Sequence, residues 1–259
     1  MNQGTIGKRV RRYGRACWRA MAGVVLAAGL LQGCGGGSGG SSTAASAADT
    51  GQVTLAMRDA AGDFVTYAVD VTSIQFKRAD GTTVETIPLT TRIDFTQVAD
   101  VTEFFTIATV PAGTYTSAVM NLDFTNAQIV VQNQAGTQVQ VAPVDANGAA
   151  LKTLQVAIDL PDSQPIRIVA GIPASVTLDF DLAASNTLDS MTAPTQVTVQ
   201  PFLSVVPEFE QDREHRIRGV LASVDTAAGS VTVNVRPFHL REGRFGQVTF
   251  DTNDQTQWE

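Results

Sequence analysis

Apolar and polar residues alternate along most of the chain after residue 50, and the alternation is clearest in 52–58 and 65–71. A period of two is typical of β-strands with one buried face. The phase shifts after residue 71, which predicts a β-bulge near Thr72-Ser73. Residues 79–82, Ala-Asp-Gly-Thr, are typical of a hairpin turn, because glycine adopts positive φ readily.

The same pattern continues to residue 206. The further predicted strands are 83–88, 92–97, 104–109, 114–124, 127–133, 137–142, 152–160, 165–170, 174–183 and 195–206. Residues 99–104 instead favour a short helical turn. Many short strands separated by Gly and Pro predict an all-β fold, a sandwich or a barrel.

A second module is predicted over 214–259, after a charged linker at 207–213. Its strand–turn–strand pattern and a third strand at 247–251 resemble the opening of small OB-like β-barrels. About 45 residues are marginal for an independent core. Either the reading frame is truncated, or these strands pack against the first domain.

The amino-terminal 33 residues have a different character. They hold six of the 18 basic residues and none of the 25 acidic ones, and the basic stretch precedes a 12-residue apolar run at 20–31. A membrane-spanning helix needs about 20 apolar residues, so the run is too short to cross a bilayer. A basic region followed by a short apolar one predicts a secretory signal.

Leu31-Gln32-Gly33-Cys34 resembles the lipobox of bacterial lipoproteins. The resemblance implies cleavage between Gly33 and Cys34, a lipid (diacylglyceryl and palmitate) on Cys34, and attachment of the chain to a bilayer. Gly35 stands where Asp would favour the inner membrane, so the outer membrane is expected. Residues 34–50 contain the lipidated Cys34 and a Gly/Ser/Ala linker, which as a coil spans roughly 20–25 Å.

Two further resemblances concern residues 51–206. Val110-Pro111-Ala112-Gly113-Thr114-Tyr115 resembles the P-x-G-x-Y turn of transthyretin-like and carboxypeptidase-regulatory-like sandwiches. It implies a Greek-key, prealbumin-like sandwich in which Tyr115 points inward and its hydroxyl caps nearby backbone. The Arg58-Asp59-Ala60 segment and residues 179–185 resemble a domain-of-unknown-function family found in bacterial lipoproteins. That family implies a fold and a location, and no activity.

Charge and composition narrow the function classes. The whole chain has a net charge of −7, and removal of the basic signal makes the remaining 226 residues more acidic, near −13. Nucleic-acid binding, which needs basic surfaces, is therefore not expected. Two Cys and two His do not favour a His/Cys zinc site, and no cofactor is expected.

Carboxylates are the main candidate chemistry. Asp179 and Asp181 are two residues apart, which places both on one face of a strand, and Asp123 has a similar Leu-Asp-Phe setting. Such a pair could bind Ca²⁺ or act in glycoside hydrolysis, but a solvated strand face is the favoured interpretation. Asp59 and Asp63 flank Gly62, where a plain turn is favoured over a calcium loop.

The remaining polar candidates give weaker signals. His215 and His239 have no nucleophile motif nearby, and surface positions are expected for both. Arg236, Arg241 and Arg244 form a modest basic patch near Phe238 and Phe245, which could contact lipopolysaccharide phosphates or an acidic glycan. A hairpin loop whose charge is balanced by the surrounding acids is the favoured interpretation.

The sequence therefore predicts a membrane-anchored envelope lipoprotein with a non-enzymatic structural, adhesive or ligand-binding domain. Its expected partners are the lipid bilayer and, beyond that, envelope proteins or glycans. The alternatives are an enzyme that acts on envelope polysaccharide and a calcium-stabilised adhesion module.

Overall fold

The computed structural model describes residues 49–59, 64–99, 101–160, 165–188, 196–201, 203–206, 214–240, 244–254 and 256. The predicted signal peptide, Gly33, Cys34 and nearly all of the predicted linker lie outside these residues. The described part of the chain is almost entirely β-strand, which confirms the all-β prediction. Within it, no helix combines the length and the apolar composition that a membrane span requires.

The described residues form eighteen strands and one short helix. The strands are β1 Thr50–Arg58, β2 Phe64–Arg78, β3 Thr83–Glu85, β4 Thr91–Asp94, β5 Val101–Pro111, β6 Gly113–Gln132, β7 Gln138–Gln140, β8 Ala142–Val144, β9 Thr153–Asp159, β10 Ile166–Ile168, β11 Ala174–Phe180, β12 Asn186–Leu188, β13 Gln196–Val199, β14 Leu203–Val206, β15 Glu214–Arg216, β16 Gly219–Asp225, β17 Ser230–Val235 and β18 Gln247–Asp251. The helix is α1, Leu182–Ser185, and single 3-10 turns lie at Phe95–Val98 and Pro237–His239.

The first large sheet has the strand order β14-β11-β1-β5-β15. β1 is antiparallel to β5 but parallel to β11, and the parallel register runs from Val53 opposite Ala174 to Arg58 opposite Asp179. Because parallel strands end at the same edge of a sheet, this pairing brings Arg58 and Asp179 together although 121 residues separate them.

The second large sheet is built around the long strands β2 and β6, which are antiparallel to each other. β3 and β4 pair with β2, whereas β7, β9 and β10 pair with β6. The register of β2 against β6 shifts between Val71 and Ser73, which confirms the bulge predicted there. Residues 114–124 and 127–133, predicted as separate strands, form the single strand β6.

Apolar side chains from both large sheets form one hydrophobic core. The alternating residues of β1 and β2 supply much of it, and aromatic rings fill its centre, with the Phe95 and Phe180 ring centroids 4.6 Å apart. Tyr115 is fully buried and its hydroxyl donates to the Pro111 carbonyl at 2.6 Å, as the P-x-G-x-Y resemblance implied. The sequence alternation therefore marks the core faces of the strands.

Several local predictions are wrong, including the strand over 92–97, which ends at Asp94, and the strand over 195–206, which is divided into β13 and β14. Residues 99–104 do not form a helical turn, because β5 begins at Val101, and its β-branched and aromatic residues suit a strand. The 3-10 turn lies earlier, where Asp94 caps it by accepting from the Thr96 N–H. The strand predicted over 174–183 ends at Phe180, because Asp181 accepts from the Ala184 N–H and begins α1.

The C-terminal strands lie against the first large sheet. β15 pairs in parallel with β5, and the Phe238 and Phe245 rings each lie 6.0 Å from the Phe105 ring. β16, β17 and β18 form a separate three-stranded sheet, in which every residue of β16 is exposed. In the described residues, the C-terminal strands therefore pack on the first domain.

Candidate functional site

The carboxyl ends of β1 and β11 bring several charged groups together. Arg58 donates to Asp179 Oδ2 from both Nε, at 3.0 Å, and Nη2, at 2.8 Å. The two side chains are 13% and 20% exposed, so the ion pair is largely shielded from water. Such a pair fixes the ends of the two parallel strands against each other.

Asp59 and Asp181 bind the backbone at the same edge. Asp59 is buried, and its Oδ1 accepts from the Leu182 N–H at 2.9 Å. Asp181 Oδ1 accepts from the Ala184 N–H at 2.9 Å and caps α1. Carboxylates that accept backbone hydrogen bonds at the start of a helix stabilise its otherwise unpaired N–H groups.

The buried side chain of Tyr67 contacts the segment that follows Asp181. The Tyr67 hydroxyl donates to Asn186 Oδ1 at 3.0 Å, and Asn186 Nδ2 donates to the Leu182 carbonyl at 2.9 Å. Burial raises the pKa of Tyr67 well above its usual value; the negative charge of Asp59 adds to this, while the hydrogen bond with Asn186 opposes it. Tyr67 is therefore a neutral donor that holds α1 and β12 in place.

The three acidic candidates do not share one face. Asp179 lies in β11 and binds Arg58, whereas Asp181 lies beyond the end of that strand and caps α1. Asp123 lies in β6 of the other large sheet, where hydrogen bonding by Thr125 lowers its pKa. The i, i+2 spacing failed as a guide because the strand ends between its two members.

The calcium-loop candidate is only partly described. Asp59 lies at the end of β1 as a buried hydrogen-bond acceptor, and Asp63 lies outside the described residues. Within the described part of the chain, no three His, Cys, Asp or Glu side chains are grouped closely enough to hold a metal ion.

The histidines and the basic patch give no convergent site. His215 is exposed in β15, with its ring 6.0 Å from that of Phe104, and only the backbone of His239 is described. Arg236 and Arg244 are exposed, and Arg241 lies outside the described residues. Phe245, predicted to flank this patch, is instead buried in the core.

Sequence reasoning missed the buried acid of β5. Glu103 is fully buried, and its carboxylate lies near the guanidinium groups of Arg216 and Arg218, at 2.7 and 3.4 Å. Its Oε1 accepts from the Phe238 N–H at 3.1 Å. Only the nearby apolar residues Val101, Phe104 and Phe105 hinted at burial, and charged residues are seldom buried unless paired.

One shallow groove of about 270 Å³ lies where β1 begins, and it is called the amino-terminal groove below. It is lined by Thr50, Gly51, Gln52, Thr109, Gly171, Ile172 and Pro173. None of these residues carries a charge or a catalytic functional group typical of general acid–base chemistry.

Comparison with protein families gives one match. Residues 50–201, more than half of the 259-residue chain, match the family described as Domain of unknown function (DUF4382). The chain belongs to the DUF4382 family. The match covers every strand of the second large sheet and β1, β5 and β11 of the first, whereas β14 and β15 lie beyond its end. No curated protein and no solved structure matches the chain.

Membership of DUF4382 agrees with the domain-of-unknown-function resemblance in residues 51–206, and the β-sandwich-like arrangement agrees with the predicted fold class. Membership of the family assigns no catalytic residue. The geometry accounts for Asp59, Asp179 and Asp181 by structural roles, because each accepts hydrogen bonds that hold strand or helix ends.

Proposed function

We propose that this DUF4382 chain is a lipoprotein of a bacterial cell envelope, anchored through Cys34, whose β domain is a structural, adhesive or ligand-binding module. The lipobox-like Leu31-Gln32-Gly33-Cys34, directly after a basic and then apolar segment, carries the proposal. Cleavage before Cys34 would make that residue the amino terminus and its thiol the site of lipid attachment.

The position of the folded domain supports the proposal. β1 begins at Thr50, after a Gly/Ser/Ala-rich stretch that starts directly beyond Cys34. A stretch of this composition, about 16 residues long, gives a coil that spans roughly 20–25 Å and holds the domain close to the bilayer. The outer membrane is the proposed location, because Gly35 lacks the Asp side chain that favours inner-membrane retention.

A non-enzymatic role is supported by the use of the acidic side chains. A glycosidase needs two carboxyl groups that face each other across one substrate bond. Asp179 and Asp123 lie in different sheets, and Asp181 is a helix cap. The hydrogen bonds and the ion pair of these three carboxylates give each a structural role that needs no substrate.

Metabolic labelling in a bacterial host tests the proposal. We expect labelled palmitate in the wild-type chain and none in Cys34→Ser, which should also accumulate as the unprocessed precursor. Cys17→Ser is the matched control, because Cys17 lies in the predicted signal and should leave labelling and processing unchanged. Palmitate retained in Cys34→Ser would overturn the proposal.

A further inference from the structure

The turn between β10 and β11 is unusually apolar for an exposed loop. Val169-Ala170-Gly171-Ile172-Pro173, called the apolar turn below, contains no polar side chain. Val169 is 50% exposed and Ile172 is 59% exposed. The Ile172 N–H donates to the Val169 carbonyl at 3.1 Å, and Gly171 supplies the positive φ of 75° that closes the turn. The turn is therefore well formed and presents its apolar side chains to solvent.

Other turns of this domain are built differently. Four of them carry an Asp or Asn whose side chain accepts hydrogen bonds from the turn backbone: Asp80, Asn133, Asp145 and Asp225. Exposed turns generally favour such polar residues, because their side chains satisfy the turn backbone. The apolar turn thus departs from the pattern that this chain uses for ordinary turns.

The apolar turn lies where the domain begins. Gly51 packs so closely on it that a Cβ there would lie 2.6 Å from Ile168 Cγ2 and 2.8 Å from the Val169 carbonyl oxygen. Ile172 and Pro173 line the amino-terminal groove together with Thr50. The chain from Cys34 therefore joins the domain beside these exposed side chains.

A second turn and a cation share this end of the domain. The Ala112 N–H donates to the Asp49 carbonyl at 2.7 Å, so the Pro111-Ala112-Gly113 turn also lies beside the first described residue. Arg167, two residues before Val169, is exposed on β10. Apolar side chains with a neighbouring cation suit the headgroup region of a bilayer, where anionic lipids attract positive charge.

We propose that the apolar turn contacts the headgroup region of the membrane, with Val169 and Ile172 inserted among the lipids. The inference rests on the proposed lipid anchor at Cys34. That anchor matters physically, because two exposed side chains bind a free bilayer weakly, whereas a short tether raises their effective concentration at the surface. A lipid surface is favoured over a protein partner, because a short linker from lipidated Cys34 keeps this end of the domain near the bilayer even when no partner protein is bound.

A fluorescent probe at position 172 tests this contact. The full-length Ile172→Cys chain, purified as the lipidated protein and labelled with a polarity-sensitive dye, is reconstituted in phosphatidylethanolamine and phosphatidylglycerol vesicles. Cys17 leaves with the signal and Cys34 carries the lipid, so the introduced thiol alone reacts with the dye. The matched control is Ala135→Cys, in the exposed turn after β6, because β6 starts beside the amino-terminal groove and leads away for 20 residues.

We expect a blue-shifted emission for the probe at 172, and strong quenching when nitroxide headgroup lipids are added, with neither change at 135. Equal, weak quenching at both positions in protein whose Cys34 carries lipid would overturn the membrane contact and leave the proposed function intact. A blue shift at 172 without quenching would also overturn it, and would indicate contact with protein. Absence of lipid on Cys34 would overturn both the proposed function and the contact.

Discussion

Arg216 Nη2 lies 2.7 Å from Oε2 of Glu103, and the Glu103 side chain is fully buried. This pair joins β15 to β5 and so connects the C-terminal strands to the first large sheet. Arg218 reaches the same carboxylate oxygen at 3.4 Å. A buried carboxylate with two cationic partners is costly to remove, because its partners then lose the charge that compensated them.

We expect Glu103→Ala to lower the free energy of unfolding by about 3 kcal/mol, because one partner of a buried ion pair is lost while its guanidinium partners stay. Urea denaturation followed by intrinsic fluorescence measures the change. Arg244→Ala is the control, since Arg244 is exposed and should leave the stability within about 0.5 kcal/mol of wild type. Equal stability of the two variants would contradict the structural role of Glu103.

Asp179→Ala should also destabilise the domain. Its Oδ2 accepts from two guanidinium nitrogens of Arg58, and partial exposure of both side chains places the expected loss at about 2 kcal/mol. Asp123→Ala should lower the denaturation midpoint by clearly less, because the half-buried carboxylate of Asp123 accepts a hydrogen bond from the nearby Thr125 N–H and not from an arginine of a neighbouring strand. The reverse order of the two variants would contradict their assigned roles.

Tyr67 should make the domain less stable at alkaline pH. Its pKa is raised in the folded chain, so above about pH 10 the phenol ionises in the unfolded chain but stays neutral in the folded one. Unfolding is therefore favoured as pH rises through this range. Tyr67→Phe removes the effect, although it costs about 1 kcal/mol at neutral pH for the lost hydrogen bond to Asn186.

Urea denaturation at pH 8 and pH 11 tests the role of Tyr67. The wild-type chain should lose more stability between these two pH values than Tyr67→Phe does. Equal losses in the two proteins would show that Tyr67 does not ionise differently in the folded and unfolded states.

The three-stranded C-terminal sheet provides a test of which apolar residues are buried. Val231 in β17 is 3% exposed, so Val231→Ala should cost about 1–2 kcal/mol of stability. Leu221 in β16 is 58% exposed, so Leu221→Lys should change stability by less than about 0.5 kcal/mol. A large loss in Leu221→Lys, measured by urea denaturation, would show that β16 is covered in solution.

The local features of the fold were predictable from sequence because short-range chemistry determines them. The bulge near Thr72-Ser73 follows from the phase shift of apolar residues, and the inward Tyr115 follows from the turn that precedes it. Glycine at position 81, with φ of 88°, marks its hairpin for the same reason. In each case the residues that decide the conformation are adjacent in the chain.

Long-range pairings were not predictable in this way. Alternation within β1 and β11 shows that each is a strand, but it does not indicate that the two run parallel with Arg58 opposite Asp179. Glu103 was missed for a related reason, because its partners Arg216 and Arg218 lie more than 110 residues away, beyond a predicted linker. The candidate acids could be identified by sequence, whereas their structural roles depend on these distant contacts.

The mass of the mature amino-terminal peptide tests the proposed lipoprotein identity most directly. The chain, expressed in a bacterial host and purified from its membranes, is digested and its amino-terminal peptide analysed by mass spectrometry. We predict a peptide that begins at Cys34 and carries the added mass of a diacylglyceryl group and a fatty acyl chain. A peptide that begins elsewhere, or a Cys34 without added lipid, would contradict the proposed anchor.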